Sequence, residues 1–204
     1  MHVFRRTATH DGEELGRAIP GSAISCVADS GSSFGGSYSH IALDGLVISR
    51  LTMDQASIVA VDKRTAGATA WHVMNPGCSV NGDSVEEREI IMVRPGEGAT
   101  MRSMKAAQVA TFSLHALGAA DSPEFDMPFG QRSRPPAGRW RVPTGLPLRR
   151  FNELNEAVTT TLANRPQMVE IPTIRMGLRN AFLESIAELG ASGAFRPDRA
   201  AVGR

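Results

Sequence analysis

The sequence predicts a mainly β fold with appended α-helices: a jelly-roll barrel followed by an antiparallel helical hairpin. Short segments with β-type alternation, separated by glycine, asparagine, aspartate and proline, run from about Ala23 to His115, as in sandwiches and small barrels. Beyond Pro147 the apolar residues recur at helical spacing instead. With 204 residues, of which 42% are hydrophobic and 21% charged, the chain can build one such core domain.

Strand and turn signals fill the first half of the chain. Asp44-Gly45 and Asn81-Gly82 each favour a type I′ hairpin turn, since both residue types tolerate positive φ. Residues 106–120 are alanine-rich and also have helix propensity, but alternation in the first part of this stretch favours a strand. The predicted strands are Ala23–Ala28, Gly36–Leu43, Leu46–Met53, Ser57–Val61, Ala68–Met74, Glu89–Val93, Thr100–Met104 and Gln108–His115.

The rest of the chain divides into a linker and two helices. Residues 121–146 are rich in proline and glycine, which predicts a linker or wrapping loop. Amphipathic helices are predicted over 147–164 and 171–189, in a hairpin region that spans 147–190. The predicted organisation is an N-terminal segment or arm at 1–20, the barrel at 21–120, the linker, the hairpin, and a further linker from 191 to 204.

Each predicted helix carries an apolar stripe that must be buried. We expect a second copy of the chain to cover part of it, which makes the protein a homodimer. The alternative is that both stripes pack on the chain's own barrel. The predicted dimer-interface residues are Phe151, Leu154, Val158, Ile174, Leu178, Phe182 and Ile186.

Charge and cysteine content restrict the partners and the compartment. The formal net charge is +1, so the chain as given is predicted to be a poor nucleic-acid binder. Cys26 and Cys78 are the only cysteines and are predicted to be small buried apolar residues, which fits a reducing cytoplasm. The N-terminus lacks the apolar region of a signal peptide, so we expect a cytoplasmic protein with no membrane partner.

Catalytic motifs are missing from the sequence. A metal-dependent cupin enzyme would place two histidines on one strand, with a glutamate and a distant histidine as further ligands. His40, His72 and His115 are instead isolated. The sequence also lacks a Gly-x-Ser-x-Gly elbow, a phosphate loop and an HExxH motif. We therefore predict no enzymatic activity, no metal and no cofactor.

A barrel of about eight strands can enclose one small molecule, so ligand-contacting residues are expected inside it. Trp71 is the best candidate for stacking on a ligand, and Arg50, in an otherwise apolar strand, is a candidate partner for a carboxylate or phosphate. Trp71 as core and Arg50 as an outward-facing charge remain the alternatives. The predicted ligand-binding residues are Trp71, Arg50, His72, Met74 and Met92.

The segments Glu13–Ile19, Leu43–Arg50, Val80–Asp83 and Ile90–Gly96 occur in this order, followed by the two predicted helices. Together they resemble the N-terminal half of AraC/XylS-type transcriptional regulators, in particular the subgroup of ethanolamine-operon-type regulators. The resemblance implies a cupin-like barrel that senses an effector and a helical hairpin that dimerises.

The same resemblance implies a bacterial regulator that contacts DNA through a C-terminal domain with two helix-turn-helix motifs. The sequence given ends at Arg204, where such a domain would begin, so a truncated chain or fragment is expected. The expected function is to bind a small effector in the barrel and to relay the effect of that binding through the hairpin to the DNA-binding domain. The alternative functions are a free-standing cupin-like enzyme and a small-molecule-binding protein.

Overall fold

The computed structural model describes residues 4–18, 22–29, 33–63, 69–74, 77–93, 98–114, 138–142 and 145–197. The strands are β1 (Phe4–Thr9), β2 (Ser22–Ala28), β3 (Gly36–Leu43), β4 (Leu46–Met53), β5 (Ser57–Lys63), β6 (Thr69–Val73), β7 (Cys78–Val80), β8 (Asp83–Ser84), β9 (Glu89–Val93), β10 (Gly98–Ser103), β11 (Ala107–Leu114), β12 (Gly138–Arg141) and β13 (Ala194–Pro197). The helices are α1 (Gly12–Ala18), α2 (Gly145–Asn164) and α3 (Pro172–Ser192), and a 3-10 helix, Pro166–Glu170, joins α2 to α3.

The strands form two antiparallel sheets. The larger sheet has the order β1-β3-β4-β11-β6-β9-β12-β13, and the smaller has the order β2-β5-β10-β7-β8. This is the predicted jelly-roll barrel with an appended helical hairpin, and all eight predicted strands are present within three residues of their expected ends. The alanine-rich segment is strand β11 as far as Leu114, while His115 lies outside the described residues.

Two-residue turns fix the strand register as predicted. Asp44 and Gly45 have φ values of 44° and 96°, and Asn81 and Gly82 have 52° and 87°, the left-handed conformations of a type I′ turn. The first turn pairs Leu43 with Leu46 and so sets the whole β3–β4 ladder. Because side chains alternate across a strand, this register decides which residues of both strands face the barrel interior.

The protein has two hydrophobic cores, one on each face of the larger sheet. The interior core lies between the two sheets and includes Leu51, Met53, Val59, Trp71 and Met101. The second core lies between the outer face of the larger sheet and the helices. Its members include Ile41, Ile48, Ala70, Ile90, Met92, Phe112, Phe151, Phe182, Ile186 and Leu189.

The helices cover the barrel, which corrects part of the predicted dimer interface. Phe151, Phe182 and Ile186 have no exposed surface, and Val158 is 8% exposed, so these four residues belong to the chain's own core. The apolar outer face of the larger sheet supplies the surface that the helix stripes bury. Three predicted interface residues are only half-buried: Leu154, Ile174 and Leu178.

Three segments outside the predicted barrel also join it. Residues 4–9, in the predicted arm, form β1 and pair with β3, and Leu15 of α1 is fully buried in the interior core. Residues 138–141, in the predicted linker, form β12 beside β9, and residues 194–197 form β13 beside β12. Residues 115–137 lie outside the described part of the chain. Of the helices described, none is long and apolar enough to span a membrane.

Candidate ligand-binding site

The five predicted ligand residues do not form one site, because they lie on opposite faces of the larger sheet. Trp71 points into the barrel and is 7% exposed, within the interior core. His72 follows it on β6 and therefore points outward, toward the helices. Met92 is part of the second core and Met74 packs against that core. Arg50 also lies on the outer face, where its Nη2 donates to Gln108 Oε1 over 2.6 Å.

Arg50 and His72 connect the sheet to α2 instead of lining the interior. Arg50 Nη1 lies 3.8 Å from Glu156 Oε2 on α2. His72 is 5% exposed, with Nδ1 3.3 Å from the side-chain amide of Asn152 and Nε2 3.2 Å from the carbonyl oxygen of Glu87. Burial lowers the pKa of His72, although these contacts and the Glu87 charge act in the opposite direction. A neutral imidazole therefore bridges the sheet and α2.

Polar side chains instead gather at one end of the barrel interior, next to the β3–β4 turn. The strand register places them next to one another across the sheet. His40 on β3 lies opposite Ser49 on β4, Ser49 lies opposite Thr111 on β11, and Thr111 lies opposite Trp71 on β6. Interior positions further from the turn include the apolar Leu51 and Met53. The polar residues buried there are paired within the chain, Glu89 with Arg139 and Ser57 with Ser103. We call this region the polar end. It consists of Tyr38, His40, Ser49, Thr69, Trp71, Thr111 and Ser113.

Hydroxyl groups in the polar end form two pairs. Tyr38 Oη lies 3.0 Å from Ser49 Oγ, and Thr69 Oγ1 lies 2.7 Å from Ser113 Oγ, with either oxygen of each pair able to donate. Burial raises the pKa of Tyr38 to about 12, so its hydroxyl stays protonated. Each hydroxyl pair keeps lone pairs for a further contact, because a hydroxyl donates once and accepts twice.

His40 is the polar-end residue whose hydrogen bonding is incomplete. It is 6% exposed, and its Nδ1 is buried without a hydrogen-bond partner among the described residues. Burial, and then the charge of Arg5, lower the pKa of His40, so the ring is neutral near pH 7. A buried polar atom left unpaired costs about 1–3 kcal/mol. The polar end therefore contains one unpaired imidazole nitrogen, two hydroxyl pairs and an indole ring.

Sequence reasoning missed most of this site, although the signal was present. The Asp44-Gly45 turn fixes the pairing of β3 with β4, and alternation then places Tyr38, His40 and Ser49 on the same face. Polar residues on the face that also carries Leu51 would have identified a polar region inside the barrel. Choosing candidates by residue type, without this register, combined residues from both faces.

Metal-binding and thiol chemistry find no support in the described residues. Within the described ranges, no group of three or more histidine, cysteine, aspartate or glutamate side chains is placed to hold a metal ion. Cys26 and Cys78 are free and buried. Burial raises the pKa of Cys26 to about 12 and also raises that of Cys78, so both thiols stay protonated.

A two-sheet barrel with this strand order and a polar interior end is a cupin-type jelly roll, here with a helical pair on one outer face. The chain resembles the crystal structure of the AraC-like transcriptional activator CuxR, with a TM-score of 0.54, 13% identity, and coverage of 96% of this chain and 72% of that chain. At this identity the likeness establishes a shared fold. No profile of a known protein family and no curated protein matches the chain.

Other solved structures match smaller parts of the chain. A predicted oxalate decarboxylase from Thermotoga maritima matches 45% of this chain and 91% of its own length, with a TM-score of 0.34 and 11% identity. The vicilin from Solanum melongena matches 40% of this chain and 27% of its own, with a TM-score of 0.30 and 6% identity. The prediction of no enzymatic activity is contradicted by this mixture of regulator and oxalate decarboxylase structures, and we withdraw it.

Proposed function

We propose that the chain is the effector-sensing and dimerisation region of a cytoplasmic, bacterial AraC-like transcriptional regulator of the ethanolamine-operon type. The fold shared with an AraC-like activator over 96% of the chain supports this proposal. In this role the protein binds a small molecule in its barrel, and DNA is contacted by a separate helix-turn-helix domain.

The observation that carries the proposal is the polar end of the barrel. At the other end the interior holds the apolar Leu51 and Met53, and the polar groups buried there are paired within the chain, as Glu89 is with Arg139. Here an unpaired His40 Nδ1, two hydroxyl pairs and the Trp71 ring lie on the interior face of the four neighbouring strands β3, β4, β11 and β6. A few convergent polar groups in an otherwise apolar interior are typical of a small-molecule site.

The β3–β4 turn provides a physical link from the polar end to the helices. His40 and Ser49 lie on the two strands that this turn joins. At the turn itself, Arg175 Nε on α3 donates to Asp44 Oδ2 over 3.0 Å, and Arg179 Nε donates to the Asp44 carbonyl oxygen over 3.3 Å. A ligand that favours one position of this turn also favours one position of α3, which is the relay a regulator needs.

We place the homodimer contact on the first half of α3. Ile171 is 46% exposed, and Ile174 and Leu178, three and seven residues further on, are half-buried on the same side of the helix. This contact keeps Ile174 and Leu178 from the predicted interface, adds Ile171 and leaves out the four buried residues. Partly exposed apolar side chains on one side of a helix are suited to packing against a second copy of the same helix.

A thermal-shift screen of small metabolites tests the proposal. A ligand at a hundred times its dissociation constant adds about 2.7 kcal/mol to the free energy of unfolding. Ser49→Ala in the polar end should weaken this stabilisation. The matched control is Ser79→Ala, whose side chain alternates with the buried Cys78 and Val80 and so lies on the outer face of the smaller sheet. The proposal fails if both variants respond to the ligand like the unaltered protein.

A further inference from the structure

The proposal that follows depends on the proposed function and specifies the ligand. We propose that the ligand carries a single carboxylate, which binds at the edge of the polar end between Arg5 and His40. The hydroxyl groups deeper in the polar end then contact the polar body of the same molecule.

Strand pairing places Arg5 and His40 side by side. Arg5 on β1 lies directly opposite His40 on β3 in the antiparallel ladder, and the side chains of such a pair extend to the same face of the sheet. That face is the barrel interior, because Tyr38, two residues before His40, belongs to the interior core. Arg5 is exposed on the edge strand, while His40 is buried behind it. The pair therefore combines an accessible cation with a buried nitrogen.

Both groups lack partners in the described part of the chain. Arg5 forms no ion pair there, and His40 Nδ1 has no hydrogen bond. The carboxylates of α1, the helix next to this edge, are already engaged: Glu13 with Arg17 at 3.4 Å, and Glu14 with the Thr9 hydroxyl. Ser49, across from His40 on β4, is uncharged. Among the described residues, no acidic group forms an ion pair with Arg5.

Carboxylate geometry and charge fit this pair of residues. A guanidinium donates two parallel hydrogen bonds to a carboxylate, and such charge-assisted bonds are stronger than neutral ones. The site has one cation, Arg5, beside a neutral imidazole and neutral hydroxyl groups. A ligand with one negative charge therefore fits it better than a ligand with two. A bound carboxylate also offsets the effect of the Arg5 charge on His40, and a protonated Nδ1 can then donate to it.

The experiment follows the imidazole of His40 by NMR while acetate or acetamide is added at constant ionic strength. The two probes have nearly the same shape and differ in charge. We expect acetate to bind saturably and raise the pKa of His40, and acetamide to have no such effect. Arg5→Ala should lower the apparent acetate affinity about tenfold or more, the loss expected for a charge-assisted hydrogen bond.

Arg6→Ala is the matched control, because Arg6 pairs with Ser39 and so lies on the opposite face of the same edge strand. This variant removes the same charge and should bind acetate like the unaltered protein. Equal losses in the Arg5 and Arg6 variants would show only a general charge effect and would overturn the proposal. Circular dichroism of both variants checks that the exposed substitutions leave the fold intact.

Failure of this inference can be told apart from failure of the proposed function. If acetate leaves His40 unchanged while an uncharged metabolite stabilises the protein and needs Ser49, the sensing function stands and the carboxylate is wrong. If acetate binds at Arg5 but no metabolite response depends on Ser49, the anion site stands and the sensing function is wrong. An acetate effect that is identical in the Arg5→Ala variant overturns the inference directly.

Discussion

Phe151→Ala tests whether the helices form the chain's own core or an interface between copies. Phe151 is fully buried in the second core, with ring centroids 5.5 Å from Phe112 and 6.2 Å from Phe182, both in edge-on contacts. Truncating a buried phenylalanine removes apolar burial and leaves a cavity, which costs about 3–5 kcal/mol. For a chain of this size, the corresponding fall in Tm is about 6–20 °C.

Urea unfolding measured at several protein concentrations is the assay. We expect the loss of stability to be the same at every concentration, since the contacts of Phe151 lie within one chain. Met176→Ala on the exposed half of α3 is the control and should change stability by less than about 0.5 kcal/mol. A Phe151→Ala loss below 1 kcal/mol, or one that appears only at low protein concentration, would refute the placement of Phe151 in the core.

Three further predictions follow from polar contacts. Glu89 is buried and forms an ion pair with Arg139 of β12 at 2.9 Å. Glu89→Ala should lower the free energy of unfolding in urea by about 3–5 kcal/mol, and a loss under 1 kcal/mol would contradict this pairing. Burial lowers the pKa of His72, so the unfolded chain binds the proton first, and stability should be full above pH 6.5 and fall below it. Burial also lowers the pKa of His40, which contributes to the same fall, so His72→Gln should reduce the pH dependence without abolishing it, and an unchanged pH profile would contradict this. Asp44→Asn keeps the left-handed turn but removes the ion pair with Arg175, so it should lower the free energy of unfolding by less than about 1 kcal/mol. It should also reduce the ligand-induced change in hydrogen exchange of α3, and an unchanged exchange response would exclude the turn as the relay.

The strands of the barrel could be predicted because local signals specify them. The Asp44-Gly45 and Asn81-Gly82 turns adopt the conformations that the residue types require, and alternation marks the segments between turns. Strands β12 and β13 escaped prediction, since each has four residues and is defined by its pairing with a distant partner. Nothing local in a four-residue segment distinguishes it from a loop.

The site was harder to predict than the fold because it depends on which face of each strand points inward. Trp71 and His72 are neighbours in sequence, yet one faces the interior core and the other faces α2. The helix stripes posed the same difficulty, since an apolar stripe predicts burial without naming the partner surface. Phe151 and Phe182 pack on the chain's own sheet, and no property of the helices alone distinguishes that sheet from a second copy.

The polar end is the centre of this account, and a crystal structure of the chain with a stabilising metabolite tests it most directly. We predict electron density for the metabolite inside the barrel, with one of its polar atoms within hydrogen-bonding distance of His40 Nδ1. Density on the other face of the larger sheet, between Arg50, His72 and α2, would contradict the account.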